Sequence, residues 1–192
     1  MFSEKEKKML LLLARRALEE YVKHHHILTV QELDLVMTPA LEEPRGVFVT
    51  LYQQWNTLPK TLRGCIGTIP PLRPLYQGVI ANAINAASRD ARFLPVREEE
   101  LQELVVEINV LTPPHLIDSY HSIRLGEDGI ILSQGSRQAV FLPAVPLEWK
   151  WSLEETLRQL SKKADLPENS WQDDVTQFQV FQSEAFSEQP EI

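Results

Sequence analysis

The stretch Leu62-Arg63-Gly64-Cys65-Ile66-Gly67-Thr68-Ile69 contains the only cysteine of the chain, between two glycines. Its apolar residues Leu62, Ile66 and Ile69 are typical of a buried strand. Glycine inside a strand weakens it and usually marks a bulge or a close approach of another backbone. Because local preference and the surrounding pattern often conflict at functional sites, this strand is the first candidate for such a site.

The segments around this strand predict an α+β fold, with a mostly antiparallel sheet and packed helices. A strand over Val47–Tyr52 precedes it across a short connection at 53–60, and strands joined in this way usually pair antiparallel. Strands and helices do not alternate regularly along the chain, which favours α+β architecture. The patterns predict helices over 4–23, 74–88 and 152–164, and strands over 104–111, 130–142 (a hairpin) and 175–181.

The length and composition indicate one globular domain. A chain of 192 residues with 43% hydrophobic residues has enough apolar material for a sizeable core. We assign residues 1–187 to this domain and expect residues 188–192 to be frayed, as terminal residues commonly are.

The charge and the cysteine count restrict the function and the compartment. The formal net charge is −8 and no basic cluster is present, so phosphate-driven binding of nucleic acid is disfavoured. A single cysteine cannot form an internal disulfide and is typical of a reducing compartment. The apolar run at 9–14 is too short for a signal peptide, and no stretch is long enough to cross a membrane. We therefore expect a cytoplasmic protein with no membrane association.

Two interpretations of Cys65 are open. In a regular strand Arg63, Cys65 and Gly67 share one face, and a neighbouring cation favours the thiolate, which is the nucleophilic form. The glycines leave room for a reagent to approach the sulfur. Alternatively, Cys65 is an inert small hydrophobe in the core, which is common for free cysteine.

The partners that such a thiol needs are only partly visible in the sequence. Asp90 and Arg92 lie in a charged turn after the second helix, either as ordinary helix-end and loop residues or as the second half of a site. The candidates for a general base are His115, His121 and Glu107, although a carboxylate in mid-strand is more often on a solvated face. No zinc-ligand spacing accompanies the cysteine, and we expect the histidines at 24–26 to be a solvated helix end. The sequence therefore predicts no metal and no cofactor.

Several blocks of sequence, in this order, resemble one known family. Leu62–Gly67 matches its signature hexapeptide, Asp90–Pro95 its Asp-x-Arg-Phe-x-Pro block, and 107–111 its next strand. On these motifs the chain resembles the AMMECR-type domain family, whose prokaryotic members are called AmmeMemoRadiSam system protein A. The resemblance covers most of the chain. Two positions differ from the family pattern, because Asp165 and Ala144 stand where glycine and glutamine are usual.

The resemblance implies an α+β fold with a larger and a smaller lobe over residues 1–187. It also implies grouping with dioxygenase-like and radical-SAM partner proteins. One cysteine cannot supply the three that a radical-SAM cluster requires, so this chain would not carry that cluster itself.

Two functions from different classes follow from these observations. The first is an enzyme or enzyme subunit that uses Cys65 as a nucleophile or redox thiol in a cleft, with Arg63, Asp90 and Arg92 in the same site. The second is a non-catalytic adaptor that binds the partner proteins. A third, binding of nucleic acid, is opposed by the acidic charge balance.

Overall fold

In the computed structural model of the protein, residues 2–30, 32, 35–54 and 60–189 are described. They form two compact units, the first from Met1–Leu111 with Glu184–Ile192 and the second from Thr112–Ser183. Each unit has its own four-stranded sheet and its own helices, which confirms the predicted α+β fold. The helices are α1 (Glu4–His24), α2 (Pro39–Glu42), α3 (Leu75–Ser88), α4 (Ala144–Glu148) and α5 (Leu153–Lys163). The strands are β1 (Val47–Gln53), β2 (Thr61–Thr68), β3 (Leu104–Leu111), β4 (His115–Ile117), β5 (Gly129–Gln134), β6 (Arg137–Phe141), β7 (Gln177–Phe181) and β8 (Ser183–Ser187).

The sheet of the first unit has the strand order β2-β1-β3-β8, and β1 pairs antiparallel with both β2 and β3. Alternate residues of β1 (Val47, Val49 and Leu51) are fully buried, and α3 packs against β1 and β2. The helix approaches β2 closely because Gly64 has no side chain, since a Cβ atom there would lie 2.2 Å from the carbonyl oxygen of Ala86. The close backbone approach predicted from the strand glycines is therefore present at Gly64.

Helix α1 completes the core of this unit. Its first turn is closed by a capping box, in which the Glu6 backbone N–H donates to Ser3 Oγ at 3.3 Å and the Ser3 N–H donates to the Glu6 carboxylate at 2.9 Å. Such reciprocal bonds satisfy N–H groups that the helix itself leaves unpaired. The apolar stripe of this predicted helix is buried, with Leu10, Leu13 and Leu18 fully inaccessible.

The sheet of the second unit has the order β4-β7-β5-β6, with antiparallel pairing throughout. The predicted hairpin of β5 and β6 is present, and Gly135 in its turn has a φ of +61°, which favours glycine. Leu157 and Leu160 of α5 are fully buried in a core that includes Trp171 and Phe178.

Three sequence predictions about the strands need correction. Strand β4 lies in a segment for which the sequence predicts no strand, because a three-residue strand with an exposed histidine gives no periodic signal. Strand β8 was also missed, since its largely polar sequence does not indicate pairing with β3. The last predicted strand begins at Gln177 rather than at Val175. Most of the predicted connection at 53–60 lies outside the described residues.

Two further residues, Glu188 and Asp165, relate to features predicted from the sequence. Glu188, placed in the tail expected to fray, donates its backbone N–H to Val106 O at 2.9 Å, and its carboxylate pairs with Arg15. Asp165 follows the C-terminus of α5 with a φ of +56°. That conformation suits glycine, which explains in physical terms why glycine is usual there in the family that the chain resembles.

Among the described residues, no helix combines the length and the apolar character needed to cross a bilayer.

Candidate functional site

Cys65 lies in β2, the edge strand of the first sheet, directly opposite Thr50 of β1. Its backbone N–H points away from β1 and donates to Asp90 Oδ2 at 2.8 Å. Cys65 and Thr50 therefore form a non-hydrogen-bonded pair, in which facing side chains are closest. The Thr50 hydroxyl donates to the Cys65 sulfur at 3.2 Å, and the thiol is half-buried.

Asp90 fixes the backbone of Cys65. It follows α3 directly after the helix cap at Arg89, and it is only 7% exposed. Its carboxylate accepts from the Arg92 backbone N–H at 3.2 Å, from Arg92 Nε at 2.9 Å and from Arg92 Nη2 at 2.7 Å, besides the bond from Cys65. The Arg92 side-chain bonds hold the pKa of Asp90 far below its usual range, burial opposes them, and the Cys65 and Arg92 N–H groups add to the lowering. Asp90 is thus a buried anion at neutral pH.

Arg92 brings a positive charge to the same cluster. Its guanidinium lies 5.4 Å from the centre of the Phe93 ring and is about half exposed to solvent. The hydrogen bonds to Asp90 raise the pKa of Arg92, burial opposes this, and the charges of Asp90 and Cys65 contribute further increases. Because the Asp90 carboxylate binds both the Arg92 guanidinium and the Cys65 backbone N–H, Arg92 lies near the thiol.

Arg63 is in a different position from the one predicted by strand alternation. Leu51 pairs with Gly64 but Tyr52 pairs with Leu62, so Arg63 is an extra residue in a β-bulge and the regular alternation is broken there. Its guanidinium binds Glu100 at 2.7 and 3.1 Å and the carbonyl oxygens of Leu94 and Pro95 at 3.0 and 3.4 Å. No bond from Arg63 to Cys65 is found in the described part of the chain.

The Arg63–Glu100 pair joins the edge strand to the segment after the 90–95 loop. Both side chains are largely buried, and the bond from Arg63 is the main cause that lowers the pKa of Glu100, against the effect of burial. A buried bidentate pair of this kind fixes geometry more than an exposed one does. Arg63 thus holds the loop carrying Asp90 and Arg92 against β2.

Cys65, Thr50 and Glu107 form a row of neighbouring side chains across three strands of the sheet. Thr50 pairs with Cys65 on one side and with Glu107 of β3 on the other. The Cα atoms of Cys65 and Glu107 are therefore about 10 Å apart, two strand spacings. The Tyr52 hydroxyl lies 3.5 Å from Glu107 Oε1.

The other base candidates, His115 and His121, belong to the second unit and are exposed. Among the described residues, no group of three histidine, cysteine, aspartate or glutamate side chains is arranged to hold a metal ion. Of the histidines at 24–26, His26 contacts Glu20 and Glu32 at 3.4 and 3.5 Å. One cavity lies between α1 and the 98–102 segment and another lies beside β4 and β7, and Cys65 lines neither.

Thr50 and Glu100 are the residues of this cluster that sequence reasoning did not identify. Thr50 lies in a predicted strand, and only the register of β1 against β2 shows that it faces the cysteine. Glu100 lies in a run of three glutamates, of which it alone pairs with Arg63 among the described residues. A run of like charges does not indicate which member is buried.

The chain matches a family model, related proteins from other organisms and a solved crystal structure. The AMMECR1 family model matches residues 11–186. Protein TK0174 of Thermococcus kodakarensis is 44% identical over 181 residues, which cover 91% of this chain and 86% of that protein. Protein PH0010 of Pyrococcus horikoshii is 43% identical over 182 residues, covering 91% and 85%. The crystal structure of uncharacterized protein PH0010 matches with a TM-score of 0.88 at 40% identity and covers 98% of this chain and 94% of that one. The chain therefore belongs to the AMMECR1 family.

Proposed function

We propose that the protein uses Cys65 as a reactive thiol, as a nucleophile or redox group in an enzyme or enzyme subunit. The observation that carries this proposal is the double anchoring of Cys65. The Thr50 hydroxyl donates to the sulfur, and the buried Asp90 carboxylate accepts the Cys65 backbone N–H. An inert core cysteine does not need the first contact, because its thiol is only a weak hydrogen-bonding group, and the second contact fixes the position of the strand that carries the thiol.

Each residue of the cluster has a separate role in this proposal. Thr50 and Arg92 stabilise the thiolate, the first by a hydrogen bond and the second by its positive charge. Asp90 is a positioning residue, because it fixes both the Cys65 backbone and the Arg92 guanidinium. Arg63 is a positioning residue too, through Glu100 and the loop carbonyl oxygens. Glu107, one strand beyond Thr50, is the carboxylate of this row, and it receives the thiol proton through solvent because it lies about two strand spacings from Cys65.

The chemistry is nucleophilic substitution or addition at an electrophilic atom of the substrate. The sulfur lone pair forms the new bond and the thiol proton goes to a base. In a substitution the leaving group departs with the electron pair of the broken bond, and in an addition the π pair moves to the substrate atom at the other end of the double bond. We further propose that the protein acts in the cytoplasm, where a single unpaired thiol stays reduced.

We expect Thr50→Val to slow the alkylation of Cys65 by iodoacetamide about fivefold at pH 7, since a neutral hydrogen bond is worth about 1 kcal/mol. In this reaction a sulfur–carbon bond forms and iodide leaves. Because the chain has one cysteine, mass spectrometry of the whole protein reports on Cys65 alone. Arg92→Gln should slow the reaction to a similar extent, and Arg92→Lys should slow it less because the charge is kept.

The control is Arg89→Gln, which removes an exposed cation next to the same loop. Its alkylation rate should equal that of the wild type, and circular dichroism should show that all four variants are folded. Equal rates in Thr50→Val, Arg92→Gln and the wild type would exclude the proposed thiolate stabilisation.

A second function, an adaptor for dioxygenase-like and radical-SAM partner proteins, is favoured by one surface feature. Trp149 is 66% exposed and stacks on Trp151, with ring centres 5.7 Å apart and planes inclined by 16°. Leu147, nearby in the sequence, is also largely exposed. Exposed tryptophans are typical anchors of protein interfaces because they bury a large apolar area.

We expect Trp149→Ala to weaken binding to such a partner at least tenfold, because anchor residues commonly contribute 2 kcal/mol or more. Isothermal titration calorimetry with the purified partner measures this, and Val175→Ala is the control, since Val175 is an equally exposed apolar residue. If the protein is an adaptor, the Cys65→Ser variant should bind the partner with the same affinity as the wild type. Wild-type affinity in Trp149→Ala would exclude the stacked tryptophans as the docking surface.

A further inference from the structure

The bonding pattern of the first sheet shows which backbone groups of the edge strand β2 point away from the sheet. The Gln54 N–H donates to Glu103 O at 2.9 Å. The Leu111 N–H donates to Gly46 O at 2.8 Å. Both bonds join even-numbered residues at the two ends of β1 to β3, so the odd-numbered residues of β1 bond to β2. The β2 residues opposite even-numbered residues of β1 therefore direct their N–H and C=O groups outward.

Cys65 and Gly67 are residues of this kind, because they lie opposite Thr50 and Phe48. The outward N–H of Cys65 is bonded to the Asp90 carboxylate, which agrees with the pattern. The outward N–H of Gly67 has no bonded acceptor among the described residues, and Gly67 is partly accessible to solvent. The edge beside the thiol thus has one satisfied donor and, two residues further on, a donor that is open to a ligand.

The Gly67 N–H lies within reach of a group attached to the thiol. Standard strand dimensions put the Gly67 nitrogen about 5–6 Å from the Cys65 sulfur. The carbonyl oxygen of an acyl group bonded to the sulfur fits between these two atoms, and it can accept from the N–H at about 2.9 Å. The Phe48 ring lies over the face of Gly67, where a Cβ atom would collide with it, so the surroundings of this donor are partly apolar.

The class of substrate decides whether such a donor contributes to the reaction. In an alkylation or a thiol–disulfide exchange, the negative charge develops on the leaving group. When a thiolate adds to a carbonyl carbon, the charge develops on the carbonyl oxygen, and an N–H group aimed at that oxygen stabilises the transition state. An open N–H group beside the thiol therefore favours acyl substrates over the other two classes.

We propose that the substrates of Cys65 are acyl compounds (thioesters, esters or amides) and that the Gly67 N–H binds the oxyanion formed when the thiolate adds to their carbonyl carbon. This inference rests on the proposed function, in which Cys65 is a reactive thiol. The sulfur lone pair forms the sulfur–carbon bond, and the carbonyl π pair moves to the oxygen. That pair then re-forms the double bond, and the leaving group departs with the electrons of its own bond and takes up a proton. Water or another acceptor removes the acyl group from the sulfur by the same route.

The test compares two reagents on the wild-type protein and on a blocked hexapeptide with the sequence of residues 62–67. p-Nitrophenyl acetate acylates the thiol through an oxyanion, and its rate is the release of p-nitrophenolate less that of Cys65→Ser. Iodoacetamide alkylates the thiol without forming an oxyanion. The ratio of the acylation rate to the alkylation rate should be at least tenfold higher in the protein than in the peptide, since one oxyanion donor contributes about 10²–10³ in rate.

The possible outcomes separate this inference from the proposed function. Equal ratios in protein and peptide, with a Cys65 that iodoacetamide alkylates readily, would overturn the acyl substrate class and leave the reactive thiol in place. A native Cys65 that reacts with neither reagent would overturn the proposed function, and this inference with it.

A matched pair of double variants tests the Gly67 N–H itself. Phe48→Ala/Gly67→Pro and Phe48→Ala/Gly67→Ala both add a Cβ atom at position 67, and both remove the ring that it would meet. Only proline lacks the N–H group, and an edge strand tolerates proline where that group points outward. The ratio of acylation to alkylation should be at least tenfold lower in the proline variant than in the alanine variant, with circular dichroism showing that both are folded. The same ratio in both would contradict the role of the Gly67 N–H, and the comparison of protein with peptide still decides if the proline variant does not fold.

Discussion

Asp90→Asn is expected to lower the free energy of unfolding by about 3 kcal/mol at pH 7. The buried carboxylate accepts charge-assisted bonds from the Cys65 backbone and from Arg92, and bonds to charged groups contribute about 1.5–3 kcal/mol each. Asparagine keeps the shape, but it loses the charge and presents an N–H₂ group where an acceptor is needed. Urea unfolding followed by circular dichroism measures the change, with Asp174→Asn as the matched control because that carboxylate is exposed.

The same variant changes the pH dependence of stability in a defined direction. The pKa of Asp90 is lowered in the folded protein, chiefly by Arg92, so its contribution is complete above the unfolded-state value of about 3.9. That contribution is lost as the pH falls below about 4, because the unfolded chain then binds a proton at Asp90 more readily than the folded state does. The difference between wild type and Asp90→Asn should therefore be constant from pH 5 to 7 and become smaller below pH 4. A difference that stays constant down to pH 2.5 would contradict this account.

Gly64→Ala is expected to destabilise the protein by about 3 kcal/mol or more, or to prevent folding. A Cβ atom at this position would lie 2.2 Å from the backbone oxygen of Ala86, so α3 or β2 would have to move. A backbone atom cannot turn aside as a side chain can, and forced overpacking of a core costs about 1–3 kcal/mol even where side chains adjust. Thermal unfolding by calorimetry measures the effect, and expression only as insoluble protein would be its extreme form.

Two glycines serve as comparisons for this prediction. Gly135→Ala introduces no contact within 4 Å, and only its left-handed backbone conformation opposes it, at a cost of about 1 kcal/mol. Gly67→Ala would meet the Phe48 ring, a side chain that can rotate, and should lie between the two. A cost for Gly64→Ala equal to or below that of Gly135→Ala would show that the close packing of α3 on β2 is not needed.

Much of the local structure could be predicted from the sequence, because it depends on patterns within one segment. The capping box at Ser3, the apolar stripe of α1 and the β5–β6 hairpin all arise from residues near one another in the chain. The glycines in the strand also indicated a bulge or a close backbone approach, and the bulge at Arg63 and the close approach at Gly64 are both present.

The site could be predicted only in part, for physical reasons. The bonded partners of Cys65, Thr50 and Asp90, come from two segments far apart in the chain, and the contact with Thr50 depends on a strand register that no local pattern specifies. The bulge reverses the alternation at Arg63, so a two-residue period applied across it assigns the wrong neighbour to the thiol. Because of this one extra residue, the cation near the thiol is Arg92 and not Arg63.

The central claim is that the fold activates the Cys65 thiol. The most direct measurement is the rate of alkylation of wild-type Cys65 by iodoacetamide at pH 7, in the native protein and in the same protein unfolded in urea. We predict that native Cys65 reacts faster than the unfolded cysteine, although it is half-buried, because in our proposal Thr50 and Arg92 stabilise its thiolate. A native Cys65 that is unreactive, while the unfolded chain reacts at the ordinary rate, would contradict the account.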